Sequence, residues 1–361
     1  MPRHGAAVAH RLLVEMSNTF WIKSSTLLHT MISLAASLRR LAAASGLLLT
    51  LAAPLAAAPL KIAFSDWPGW TALEIAAQKG WFKEAGVEVE LLWFEYGPSM
   101  EAFTAGQCDA VTVTNGDALV TGAGGAKNVM ILMTDYSNGN DMIVAKPGLR
   151  SIAELKGRKI GIEIGFVEHL LLLNGLKKAG LTEKDVELIP TPTNQTPQVL
   201  ASGQVDAIGA WQPNSGAALK AVPGSKAIYS SANEPGLIYD AVVVSPQSLA
   251  TRRADWVKFV RVWDKVVAYL RDPATQKDGI AIMAARAGVD PREYAAFMPG
   301  TRFLSLMEGA KILAAHTDGF DSLLGSSKIA NDFNVANGVY KESQDVTTYI
   351  DAKVTVEALK K

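Results

Sequence analysis

The stretch FTAGQCDAVTV, residues 103 to 113, returns nearly a hundred residues later as LASGQVDAIGA, residues 200 to 210. In both copies a helical pattern stops at a glycine, and Gln-x-Asp-Ala then leads into an apolar strand pattern. Glycine ends helices because it alone adopts a left-handed backbone at no steric cost, and a short apolar run behind it reads as a strand. A weaker echo links GWFKEAGVEVELL to LKKAGLTEKDVELI. A repeat of this length points to two units of similar build rather than one long sheet.

The alternation around the repeat agrees. LKIAF, VEVELLWF and DAVTVT read as strands, with TALEIAAQKGWFKEAG expected as one helix and SMEAFTAGQ as another. The pattern restarts at SIAELKGRKIGIEIG and runs through the helix VEHLLLLNGLKKAGL, the strand DVELIP and the helix TPQVLASGQ to the strand DAIGAW. Strands that alternate with helices form a mostly parallel sheet with helices on both faces, an α/β fold. Beyond residue 245 the chain turns helical, and Trp256, Phe259, Val260, Trp263, Val267 and Leu270 recur at the spacing of a core-facing stripe.

Residues 31 to 58, MISLAASLRRLAAASGLLLTLAAPLAAA, have the layout of a secretory signal peptide: basic residues, an apolar run, then a small-residue exit. Met31 is the expected start, and residues 1 to 30 are expected to be a mis-assigned upstream extension. Without residues 1 to 58 the chain keeps 30 basic and 34 acidic residues, a net charge of −4. Nothing in that balance suggests nucleic acid. Cys108 is the only cysteine. It leaves no internal disulfide, and no cysteine stands at the exit to carry a lipid. An exported, soluble, periplasmic protein is expected.

The segments AAQKGWFKEAGVEVEL, FTAGQCDAVTVTNGDAL, IAELKGRKIGI, LLNGLKKAGL and VLASGQVDAIGAWQP, in this order, resemble periplasmic solute-binding proteins of ABC importers. The branch is the one that handles nitrate, taurine and alkanesulfonates, and pyrimidine precursors of thiamine. The resemblance covers about residues 60 to 350. It implies a two-lobed, type II periplasmic-binding-protein fold with two crossovers. Lobe one would hold residues 59 to 145 plus 241 to 361, and lobe two residues 146 to 240. The ligand would lie in the cleft, at the carboxyl ends of the strands, and closure would be a hinge motion. The implied partners are a small-molecule ligand and the permease and ATPase subunits of an importer. A monomer is expected, with no cofactor and no metal.

The residues just past the expected strand ends are acids and aromatics. They are Asp66, Trp67 and Trp70 after the first strand, Tyr96 beside Glu95 after the second, and Asn115 and Asp117 after the third. Asp135 follows VMILMT, Glu163 follows KIGI, Trp211 follows DAIGA, and Asp240 stands at the return crossover. Each acid has an alternative reading as a helix cap, with Asp117 the clearest instance. Asp109 and Asp206, which precede their strands, read as structural. The set contains no Arg or Lys. In the turn EIGFVEH, Glu163 and Glu168 stand where an anion would need N–H and hydroxyl donors.

Carboxylates accept charge-assisted hydrogen bonds, and Trp and Tyr faces attract cations. The expected ligand is therefore a small, planar, nitrogen-rich cation, with guanidine or a guanidine- or urea-like compound as the best match and nitrogen uptake as the role. The chain also looks similar to members of the branch associated with guanidine or urea-like amides. A neutral pyrimidine precursor of thiamine, or a sulfonate- or taurine-type anion, stands as the alternative. No catalytic residues are expected. Past the signal peptide only His169 and His316 remain to join one cysteine, and no phosphate-loop motif is present.

Overall fold

The structure, a computed structural model, describes residues 58 to 360. The expected extension and signal peptide, Ala58 excepted, lie outside the described residues. Among the described residues, eleven strands form two sheets. The first contains β1 (Leu60–Phe64), β2 (Val89–Trp93), β3 (Ala110–Thr114), β4 (Val129–Ser137), β10 (Tyr239–Val244) and β11 (Thr301–Phe303), in the order β2-β1-β3-β10-β4-β11. The second contains β5 (Asp141–Ala145), β6 (Lys159–Ile162), β7 (Glu187–Pro190), β8 (Ala207–Trp211) and β9 (Lys226–Ser230), in the order β7-β6-β8-β5-β9. The two orders correspond over five strands, and β11 at the edge of the first sheet has no counterpart. In each, three parallel strands meet a fourth that runs antiparallel to both its neighbours.

The repeated Gln-x-Asp-Ala fixes the same junction in both sheets. Asp109 Oδ2 accepts the Lys61 N–H at 3.0 Å, and Asp206 Oδ2 accepts the Lys159 N–H at 2.9 Å. In return the Asp109 N–H donates to the Lys61 carbonyl and the Asp206 N–H to the Lys159 carbonyl. Each acid thereby sets a register, Asp109 between β1 and β3 and Asp206 between β6 and β8. Gly106 and Gly203 just before them have φ of 69° and 77°, the left-handed turn that lets each helix stop and the chain enter the strand.

Two expectations need correction. The segment expected as one helix, residues 71 to 86, holds two short ones, Leu73–Gln78 and Trp81–Glu84, because Gly80 at φ 71° turns the chain between them; a further turn of helix, Pro68–Thr71, precedes them. The boundary expected after residue 145 falls on the wrong side of β5. The chain crosses to the second sheet between Ser137 and Asp141, because β5 pairs with β8 and β9, partners far along the chain. It returns between Ser230 and Tyr239.

The helical carboxyl-terminal part packs on the first sheet. Trp256, Phe259 and Trp263 of the helix Arg253–Arg271 are buried, and the Trp263 indole N–H donates to the Leu304 carbonyl at 2.8 Å. No described helix is long and apolar enough to cross a membrane.

Gly209 in β8 lies close against both β6 and the helix Val167–Lys178. A Cβ there would stand 2.8 Å from Ile162 Cδ1 and 3.0 Å from Glu168 Cβ. Overpacking of this kind costs about 1–3 kcal/mol. Gly209→Ala is therefore expected to lower the unfolding free energy by that amount, read as a fall in the urea midpoint at unchanged slope, and an unchanged midpoint would show that the helix shifts freely.

Candidate ligand-binding site

The carboxyl ends of the strands of both sheets meet around a cavity of about 230 Å³. Asp66, Glu95 and Tyr96 face it from the first sheet, and Glu163, Trp211 and Asn214 from the second. The rest of its wall is proline, threonine, asparagine and glutamine. Its three charged residues are all acids.

Asp66 ties the two sheets together. Its Oδ1 accepts the Trp211 indole N–H at 2.9 Å, and its Oδ2 accepts the Asn214 side-chain N–H at 2.7 Å. Burial pushes its pKa up to about 6, against the pull of those two bonds. Glu163, which accepts the Thr193 hydroxyl at 2.9 Å, is also raised by burial. Tyr96 is the aromatic centre of the site. Trp70 stacks on it at 5.4 Å, and Trp211 meets it edge-on at 5.1 Å.

Behind this cavity lie five more carboxyl groups, each at most 3% exposed: Asp117, Asp135, Asp141, Glu168 and Asp240. Asp117 accepts the Tyr96 hydroxyl at 2.6 Å and, from across the cleft, the Val167 backbone N–H at 3.3 Å. Burial pushes it up to about 7. The capping alternative for Asp117 is overturned, since Thr114 supplies the cap by accepting the Asp117 N–H at 3.1 Å. Asp135 accepts the Trp67 indole N–H at 3.0 Å and the Thr134 hydroxyl at 2.9 Å, and burial pushes it up to about 7.

Asp240 faces Asp135 directly across the antiparallel ladder of β10 and β4. Like charges in that position repel, and burial together with the Asp135 charge holds Asp240 well above the carboxylate range. Asp141 takes the corresponding place in the second sheet. It begins β5 opposite Trp211, as Asp240 stands in β10 opposite Thr114. Burial pushes it up to about 6, and burial plus the Asp141 charge drives Glu168 higher still. A protonated Glu168 is close enough to interact with Asp141, but as placed neither Glu168 oxygen nor Asp141 Oδ2 has a hydrogen-bond partner.

The sequence-derived set is thus split between several places. Asp66, Tyr96, Glu163 and Trp211 line the cavity, and Asp117, Asp135 and Asp240 lie in the buried group behind it. Trp67 is turned inward by its bond to Asp135, and Trp70 is buried against Tyr96. Asp135 lies within β4 rather than past its end, because the strand continues to Ser137. Asn115 is not brought to the cavity. Its side-chain N–H groups donate to the Ser326 and Ser327 hydroxyls, and its Oδ1 accepts the Tyr239 N–H, so its amide ties the helix Leu323–Ala336 to β10.

Asp141, Glu168 and Asn214 were missed as site residues. The signal for Asp141 was present: DMIVA and DAVVV are the same acid-led apolar run. The first turn of the helix Val167–Lys178 is a poor anion seat. Its Val167 N–H is taken by Asp117, and Glu168 occupies the turn itself. Among the described residues, no group of three His, Cys, Asp or Glu is arranged to hold a metal ion.

A Brucella abortus protein described as a binding protein is 33% identical over 168 residues, 46% of this chain and 52% of its own length, so the chain spans about half the length of the curated relatives it matches. The periplasmic aliphatic sulphonate-binding protein SsuA of Escherichia coli superposes with a TM-score of 0.65 at 18% identity, covering 81% of this chain and 92% of its own. The desulfurization enzyme DSZB superposes with a TM-score of 0.59 at 17% identity, covering 83% of this chain and 98% of its own. These likenesses establish the fold, which is that of the periplasmic binding proteins. A family model described as NMT1/THI5 like matches residues 67–276, more than half of the sequence. The chain belongs to the NMT1/THI5-like family.

Proposed function

We propose that the protein is an extracytoplasmic, periplasmic solute-binding protein that captures a small planar nitrogen-rich cation, guanidine or a guanidine- or urea-like compound, and delivers it to the permease and ATPase of an ABC importer. The two sheets with their helices are its two lobes, closing by a hinge at the two crossovers, and it works as a monomer. The observation that carries this reading is a cavity whose charged wall residues are all acids, with Tyr96 and Trp211 beside them and no base. A guanidinium plane matches both parts, since its N–H fork suits carboxylates and its face suits aromatic rings. A binding role also fits the side chains better than catalysis. His169 is committed to Gly165 and Glu183, and burial pushes the Cys108 thiol up to about 11, far from a nucleophile's range.

One observation favours a second reading, a neutral pyrimidine of the kind that thiamine synthesis uses. With Asp117 and Asp135 near 7, a share of these carboxyls is protonated at neutral pH and serves as donors to a neutral heterocycle.

The discriminating experiment is calorimetry with guanidinium chloride, urea, an aminopyrimidine, taurine and nitrate. Saturable guanidinium binding with taurine and nitrate silent is expected. Binding of either anion would refute the acidic-cleft reading. Asp66→Asn should weaken a cationic ligand by at least about tenfold, roughly 1.4 kcal/mol, and a neutral one only mildly. Equal losses would remove charge pairing from its role. Trp211→Ala should weaken binding while leaving the protein folded, and an unchanged dissociation constant would assign Trp211 to the core.

The raised carboxyls also set a pH dependence. Groups whose folded pKa lies near 6 to 7, above the ordinary 3.8, favour folding in their neutral form. Their stabilising share is complete below about pH 4 and is lost as pH rises through 6 to 7. His169, which burial lowers, opposes this at the acid end alone. The melting temperature of the ligand-free protein is expected to fall between pH 5 and 8, while the stabilisation given by a cationic ligand grows over the same range. A flat profile would mean that these acids are ionised and compensated.

A further inference from the structure

We propose that the cation's seat reaches inward from the outer cavity, past Asp66 and Trp211 at its mouth, to an enclosed position between the carboxyl pairs Asp135–Asp240 and Asp141–Glu168, and that the cation enters in exchange for a proton. The proposal rests on the cation-binding reading above and makes it more specific.

The two pairs come from opposite sheets and occupy corresponding places. Asp240 and Asp141 sit on the antiparallel fourth strand of each sheet, at the two points where the chain crosses over. Asp135 backs the first from β4, and Glu168 backs the second from the helix Val167–Lys178. Four of their oxygens are buried with no hydrogen-bond partner: Asp240 Oδ2, Asp141 Oδ2 and both Glu168 oxygens. The indole N–H of buried Trp70 is likewise unpartnered. A buried acceptor without a donor carries the full cost of its desolvation. Here the unmatched atoms are mostly acceptors, and they are presented from both sides of the cleft. Guanidinium offers N–H donors all round its plane and no acceptor, so it meets such a set directly. Urea, with a carbonyl to satisfy, matches it less well.

Among the described residues, the surroundings hold no competing cation. The titratable groups facing the pairs are Asp117, Glu163 and Tyr294. His169, next to Glu168, bonds Gly165 and Glu183, and Arg302, on the strand beside β4, pairs with Glu308. Carboxyls brought this close out of water coexist by keeping protons between them. A cation between the pairs takes over that task. One proton then leaves to the solvent as one positive charge enters, and the charge of the site is conserved. Enclosure adds a size limit, because the unpartnered atoms have no contact with solvent and an N-alkyl group would displace one of the N–H contacts.

The test is calorimetric titration of the protein with guanidinium chloride and with methylguanidinium chloride at pH 7, each in two buffers of different ionisation enthalpy. The wild type is expected to release about one proton per guanidinium and to bind it at least about tenfold tighter than methylguanidinium. Glu168→Gln imitates the protonated acid. It should keep its melting temperature, lose at least about tenfold in guanidinium affinity, and release fewer protons. Asp141→Asn is the parallel variant should Glu168→Gln not fold. Guanidinium binding that ignores the buffer, accepts methylguanidinium equally and is unchanged in the variants would place the cation in the outer cavity and overturn the proposal while sparing the cation reading. No guanidinium binding by the wild type would overturn both.

Discussion

Burying a carboxyl group beside another, with no base in reach, is the constraint around which this structure is arranged. Ionising a buried acid whose pKa stands about three units high costs on the order of 4 kcal/mol. The molecule holds Asp117, Asp135, Asp141, Glu168 and Asp240 in one region between its sheets, where Asp240 and Asp135 are direct cross-strand neighbours. An ordinary core would place apolar side chains there, since buried charge without a partner is among the few things a fold cannot absorb cheaply. Structures that break a local rule in this way do so at functional sites, where the deficit is made up when a ligand binds.

The topology explains how the acids come together. Each sheet threads one antiparallel strand between parallel ones, and that strand begins where the chain crosses from one sheet to the other. A residue at its start faces the end of the third strand, so it lies at the same level as the strand-end loops. Asp141 and Asp240 hold this place in the two halves. A duplicated architecture therefore presents the same chemistry twice, from opposite sides, to whatever lies between. Asp66 closes the arrangement by accepting from Trp211 and Asn214 of the other sheet.

Much of the fold could be read from the sequence because its signals are local. The glycine stops at Gly106 and Gly203, the Gln-x-Asp-Ala junctions and the short apolar runs all act within a few residues of themselves. Asp66, Glu163 and Trp211 were legible for the same reason, as they directly end or follow strands. What escaped was set by partners far along the chain. Asn115 looks like a loop residue until Ser326 and Ser327 claim its amide. Trp67 looks like a stacking face until Asp135 takes its N–H. Asp135 looks like the residue past a strand end because nothing local shows that β4 continues to Ser137 in order to pair with β10 and β11.

The same scaffold serves a protein described as sulphonate-binding, so its shape does not fix the sign of the ligand's charge. Local side chains do. A helix that opens onto the cleft offers free N–H groups and a positive end, both of which suit an anion. In this chain that end is occupied from within, by the Asp117 carboxyl on the Val167 N–H and by Glu168 in the first turn. Once those donors are taken, an anion would meet a wall whose charged residues are all acids, and each carboxyl it approached would have to stay protonated. A cation meets the opposite situation, because every acid it approaches gains by ionising. On the cation reading proposed above, the two acids that block the helix, Asp117 and Glu168, would also be the ones that turn the cleft from anions to cations.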